Sequence, residues 1–154
     1  MRKIKFRGKR KDGKGWITGI PYAIESEDAT FIIDNCQSLH LSDGDTTFTG
    51  KRVIPETVGQ FTGLTDKNGK EIYEGDIVLF TWFSYGEYEL ETEYQGYIDF
   101  LNGSFLFCCE HGNYPLSELE FDSESDIEVI GNIHDNPDLL TQTILSFKRQ
   151  PLDF

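Results

Sequence analysis

Three cysteines and three histidines are the residues best suited to chemistry: Cys36, Cys108, Cys109, His40, His111 and His134. Cys108, Cys109 and His111 are close enough in sequence to suggest zinc. Adjacent residues of a strand point to opposite faces, so only one of the two thiols can join His111. Two ligands do not complete a tetrahedral site, and Cys36 and His40 would have to arrive from elsewhere. An odd cysteine count with two neighbours is not a disulfide framework; it suits free thiols in a reducing compartment. Asp66-Lys67-Asn68-Gly69 resembles the middle of a calcium loop. In that register Leu64 and Gly75 occupy the first and last ligand positions, where neither supplies a side-chain oxygen. A hairpin turn is expected instead, with Asp76 capping the amides of the neighbouring turn. No G-x-S-x-G or H-E-x-x-H pattern is present, and Gly13-Lys14-Gly15 is too short for a phosphate loop. No catalytic residue, no metal, no cofactor and no enzymatic activity are expected.

Charge carries more information. The net charge is −13 over 154 residues, but residues 1–15 hold eight bases against one acid. From Glu71 to Phe147 there are seventeen acids and neither Lys nor Arg. Such a body repels nucleic-acid phosphate, so only the N-terminal arm could attract it. Lys3, Lys5, Arg7, Lys9, Arg10 and Lys11 form this candidate basic arm. With Phe6 and Trp16 interleaved, it could hold a single strand weakly by charge and stacking. The stronger expectation is that the arm docks on an acidic neighbour, and nucleic acid is not expected as the main partner. Glu87, Glu89, Glu91 and Glu93 alternate with Tyr88, Leu90, Thr92 and Tyr94. Like charges at that spacing repel. They form either a solvated face or a docking surface for a basic host protein. With Trp82 and Phe83 they make up the candidate interaction surface.

The elements that must position these residues read as short strands. Ile4 and Phe6 are expected to face inward, with Lys3, Lys5 and Arg7 outward. A turn over 12–15 leads into Trp16–Ile20, which Pro21 and the acids at 25–28 interrupt, and Thr30–Ile33 is a third strand. Residues 34–50 read as a polar loop with one short strand near His40. Asn68-Gly69 and Asn102-Gly103 supply the positive φ that tight hairpins need. Ile77–Phe83 is apolar on both parities, the pattern of a strand covered on both faces. Pro115–Phe121 reads as a short irregular or 3₁₀ piece, and Ile127–Ile130 as the last strand. Asn136 and Pro137 open a helix with a stripe of Leu139, Leu140, Ile144 and Leu145.

The stretch Gln60-Phe61-Thr62-Gly63-Leu64-Thr65-Asp66-Lys67-Asn68-Gly69-Lys70-Glu71-Ile72-Tyr73-Glu74-Gly75-Asp76-Ile77-Val78 resembles the signature of the YopX family. Ile4 to Lys9 with Trp16, and Val129 to Leu140, fit the same family, so the resemblance spans about residues 2–140. It implies a protein carried by bacteriophages and prophages, with an N-terminal β unit and a C-terminal SH3-like barrel. It implies no reaction, and no catalytic residue carries over. His134 departs from the family, which more often has an aromatic ring there.

The expected fold is mainly β: an N-terminal β unit (1–57), an SH3-like barrel (58–138), and a short C-terminal helix and tail (139–154). No apolar run approaches the roughly 18 residues of a membrane span, and the basic N-terminus lacks the apolar region of a signal peptide. A cytoplasmic location in a bacterial host is expected. The expected role is that of a phage-encoded accessory protein acting by protein binding. Two other readings are an acidic decoy for a host nucleic-acid site and a weak nucleic-acid binder. A homo-oligomer is also expected, held by the apolar strand at 77–83 and by the charge division.

Overall fold

The computed structural model describes residues 3–35, 49–84, 90–119 and 126–140. The chain is mainly β, with two antiparallel sheets and a short helix at residues 137–140. It divides into two compact units, residues 1–61 and 62–154. The division falls within a strand, four residues after the 57/58 boundary drawn from the sequence.

The first unit contains β1 (Phe6–Lys9), β2 (Trp16–Ile24), β3 (Ala29–Asn35), β4 (Thr49–Val53) and the start of β5 (Gly59–Thr65). They lie in the order β4-β3-β2-β1-β5. Strand β2 serves two neighbours. Its first half pairs with β1 from Trp16 to Gly19, and its second half pairs with β3 from Ile20 to Ile24. Pro21 therefore does not end the strand, as its sequence context suggested. The β1 ladder stops at Gly19, so the missing N–H of Pro21 lies beside an edge with no partner from β1. A 3₁₀ turn at Glu25–Glu27 follows, with Asp28 in the left-handed region at φ 46°.

The arm differs from its expected parity in one place. Ile4 is 59% exposed, not inward-facing. It precedes β1, outside the ladder that begins at Phe6↔Gly19, so strand alternation does not govern it. The inward position of that parity is Gly8. A Cβ there would lie 2.9 Å from Ile32 Cδ1 and 3.1 Å from Val53 Cβ. Ile32 and Val53 are fully buried, and the close approach of the β1 backbone closes this small core.

The second unit is built on β7 (Asp76–Ser84), β8 (Leu90–Leu101), β9 (Ser104–Cys109), β10 (Gly112–Pro115) and β11 (Asp126–Asn132). The order β10-β9-β8-β7-β11 is consistent with an SH3-like barrel that does not close. The short β6 (Glu71–Tyr73) precedes this sheet. Asn102 at φ 52° and Gly103 at φ 80° turn β8 into β9, as Asn-Gly predicts. Ile72, Val78, Phe80, Ile98, Phe107, Leu116, Ile127 and Val129 form the core. Strand alternation puts Val78, Phe80, Ile98, Phe107, Ile127 and Val129 on one face of the sheet. Gly96 shares that face; a Cβ on it would lie 2.6 Å from the Phe107 ring.

Asp66 ties the preceding hairpin to this sheet. Its buried carboxylate accepts the amides of Asn68 and Lys70, both at 2.8 Å, and of Val129 at 3.1 Å. Burial pushes its pKa up, but the amides of Val129, Lys70 and Asn68 outweigh this and hold it below the ordinary aspartate value. Asp76 accepts the amide of Tyr73 at 2.8 Å. Asn136 precedes the short helix that begins at Pro137. Its carboxamide oxygen turns back to accept the amide of Asn132, filling the space a Gly131 side chain would need.

Candidate functional site

On the core-side face of the second sheet, the rings nearest the sheet's edge enclose a cavity of about 370 Å³. Eight side chains line it: Phe80 and Trp82 from β7, Tyr94 from β8, Phe107 and Cys109 from β9, Tyr114 from β10, and His111 and Leu119 from the connections. Strand pairing brings them together. Phe80 lies opposite Tyr94, and Phe107 opposite Tyr114. Phe80 and Phe107 form the floor. They are buried, with ring centroids 6.0 Å apart and planes tilted by 53°. Trp82 and Tyr114 form the rim, 39% and 42% exposed. Tyr94 meets His111 edge-on at 5.6 Å, and the Tyr114 hydroxyl donates to the His111 carbonyl at 3.3 Å. Glu110 stands beside the rim, its carboxylate 3.0 Å from His111 Nε2. A concave, apolar site with a few polar groups at its mouth has the character of a ligand pocket, at the small end of the usual size range.

The other face of this sheet is acidic. Glu93 and Asp126 both lie opposite Thr81, and Glu128 lies opposite Leu79. Lys67 enters this cluster, pairing with Glu128 at 2.6 Å. That hydrogen bond, with Asp126 and Glu93 nearby, raises the Lys67 pKa.

The structure therefore separates the residues of the expected interaction surface. Trp82 lies opposite Thr92, on the cavity side, whereas Glu91 and Glu93 lie opposite Phe83 and Thr81, on the acidic side. The reason is parity: Trp82 and the glutamates alternate out of phase across the β7–β8 ladder. Glu87 and Glu89 lie outside the described residues, as does the side chain of Phe83. Of the described β7 side chains only Trp82 is exposed; Ile77 and Thr81 are buried within the chain. Among the described side chains of 77–83 there is thus no broad apolar outer face.

The basic arm splits as well. Lys5, Arg7 and Lys9 share one parity; Lys5 Nζ lies 5.1 Å from the Phe61 ring centroid, and the Arg7 guanidinium 4.9 Å from that of Trp16. Arg10 pairs with Asp12 in the turn. Lys3 and Lys11 are exposed.

Of the suggested zinc ligands, Cys109 and His111 line the cavity together, while Cys108 is buried on the other face, opposite Tyr97. Burial pushes the Cys108 thiol up, and Asp99 adds to this. Cys36 and His40 lie outside the described residues. Among the described residues no group of three His, Cys, Asp or Glu is placed to hold a metal ion. Nor, among them, is any helix long and apolar enough to cross a membrane.

Sequence reasoning did not assemble the cavity. Leu119 lies in the Pro115–Phe121 stretch that reads as irregular or 3₁₀, and Tyr114 lies just before it in the edge strand β10, which no apolar alternation announces between Gly112 and Pro115. The available signal was the parity of Phe80, Trp82, Thr92 and Tyr94.

The family model described as YopX protein matches residues 5–141. The crystal structure of protein EF1440 from Enterococcus faecalis is similar at a TM-score of 0.51 and 25% sequence identity, covering 91% of this chain and 99% of that one. A comparison with curated proteins finds no match.

Proposed function

We propose, for a chain that belongs to the YopX family, that it is a phage-encoded accessory protein that acts by binding a basic protein partner through its second unit. The observation that carries this reading is the ring-lined cavity, which opens on a unit rich in acid. Aromatic side chains supply large contact area at low conformational cost and dominate binding hot spots. The acid excess supplies long-range attraction for a basic partner and suppresses acidic ones. The lining is mostly aromatic and apolar, the character of a binding site.

The test is capture from bacterial lysate on the immobilised protein and on a Trp82→Ala/Tyr114→Ala variant, with mass spectrometry of what is retained. The expected result is one basic protein held by the unaltered chain and lost from the variant. Equal retention by both would contradict the reading. The seventeen acids without Lys or Arg across 71–147 also favour the decoy form of the same reading. In that form the captured protein binds nucleic acid, and added DNA displaces it.

A further inference from the structure

We infer that the cavity is a cation–π receptor for a single arginine side chain of the partner. This rests on the binding role proposed above and names the group that the site takes.

The lining is suited to a flat, weakly hydrated cation. Trp82, Tyr94 and Tyr114 reach the cavity from three different strands. A cation over an aromatic face is attracted by the ring quadrupole, best by Trp and next by Tyr. A guanidinium, being planar, also stacks on a ring face, which an ammonium cannot do. The volume of about 370 Å³ suits one long side chain with part of its backbone rather than a folded element.

Charge selects the cation over a neutral guest of similar shape. Neither Lys nor Arg occurs between 71 and 147, so the whole segment that builds the cavity adds no cationic side chain apart from its histidines. Glu110, 3.0 Å from the lining His111, brings a carboxylate next to the cavity. Bidentate pairing with a carboxylate is the geometry guanidinium favours. An anion would meet repulsion from the same groups. A proline or leucine side chain would bury apolar area but would gain nothing from the field.

The first unit shows the same recognition within the chain itself. The Arg7 guanidinium lies over the Trp16 ring at 4.9 Å. The second unit offers Trp82 at its rim, in a stretch with no arginine of its own.

The experiment uses the full chain and a fluorescein-labelled peptide, Gly-Ser-Arg-Gly-Arg-Ser-Gly, with a twin carrying citrulline for arginine and another carrying lysine. Citrulline keeps the shape and removes the charge. The expected result is binding of the arginine peptide at least about tenfold tighter than the citrulline twin, with lysine between them. Trp82→Ala should weaken it about fivefold or more, and Trp82→Phe should restore part of the loss. Trp82 is at the rim, so circular dichroism and melting of both variants should match the unaltered chain. Equal affinity for arginine and citrulline overturns the inference, as does an arginine affinity that Trp82→Ala leaves unchanged. No arginine-peptide binding, while lysate capture still depends on Trp82 and Tyr114, overturns the inference and leaves the binding role standing. Failure of both removes the binding role as well.

Discussion

On the first unit the rings lie beneath cations, Phe61 under Lys5 and Trp16 under Arg7. On the second, Trp82, Tyr94 and Tyr114 stand around a cavity, in a segment whose sequence holds no Lys or Arg for seventy-seven residues. Residues 1–61 carry ten bases and eight acids, and residues 62–154 carry four bases and nineteen acids, giving +2 and −15 for the net −13. Both units are antiparallel sheets with aromatic side chains on one face. Their difference lies in what shares a face with the rings. In the first unit Lys5 and Arg7 share a face with Phe61 and Trp16 of the neighbouring strands, so the sheet supplies its own cation partners. In the second unit acids alternate with the rings of β8, and the parity that puts rings on one face puts carboxylates on the other.

The largest effect is expected at Asp66. Asp66→Ala removes the carboxylate that accepts three backbone amides in a buried corner of the second unit, and a loss of about 3 kcal/mol or more is expected. Hydrogen exchange should show the loss in β7, β8 and β11 and leave β2 and β3 unchanged. The folded pKa of Asp66 is depressed, so its stabilisation is full above the unfolded value near 3.8 and is lost as pH falls through the folded value. Asp66→Asn should flatten the acid limb of the second unit's denaturation curve below about pH 4.

Asp66 also marks the limit of what can be read from the sequence. Asp-Lys-Asn-Gly announces a turn, and the turn is there. The third acceptor contact, to Val129, joins residues 63 positions apart, and no local pattern specifies it. The β8–β9 hairpin was legible because Asn102-Gly103 fixes its register. Strand β4 was not: Thr-Gly-Lys-Arg-Val has no apolar alternation, and its place is set by pairing with β3. Likewise Glu91, Glu93 and Trp82 lie close in sequence, but only the Trp82↔Thr92 register shows that they face opposite ways.

The first unit is tested at Gly8. A valine there must displace Val53 and Ile32, and overpacking of this kind costs about 1–3 kcal/mol. The expected result is a lower denaturation midpoint for the first unit with the arginine-peptide affinity unchanged. A lowered affinity would show that the binding site extends beyond the cavity.

The smallest effect separates the two faces of one strand. Cys109 lines the cavity and is half-buried, whereas Cys108 is buried on the acidic side. Iodoacetamide should label Cys109 well before Cys108, as read by peptide mass spectrometry. The arginine peptide should slow labelling of Cys109, and the citrulline twin should not.

The chain has two tryptophans, and each unit holds one, Trp16 in the first and Trp82 in the second. Their indole N–H resonances report the two ring faces separately. The most direct test of the account is a titration of the ¹⁵N-labelled protein with the arginine peptide, following both signals. The Trp82 indole is expected to shift and saturate while the Trp16 indole stays in place. A shift of Trp16 with Trp82 unmoved would contradict it.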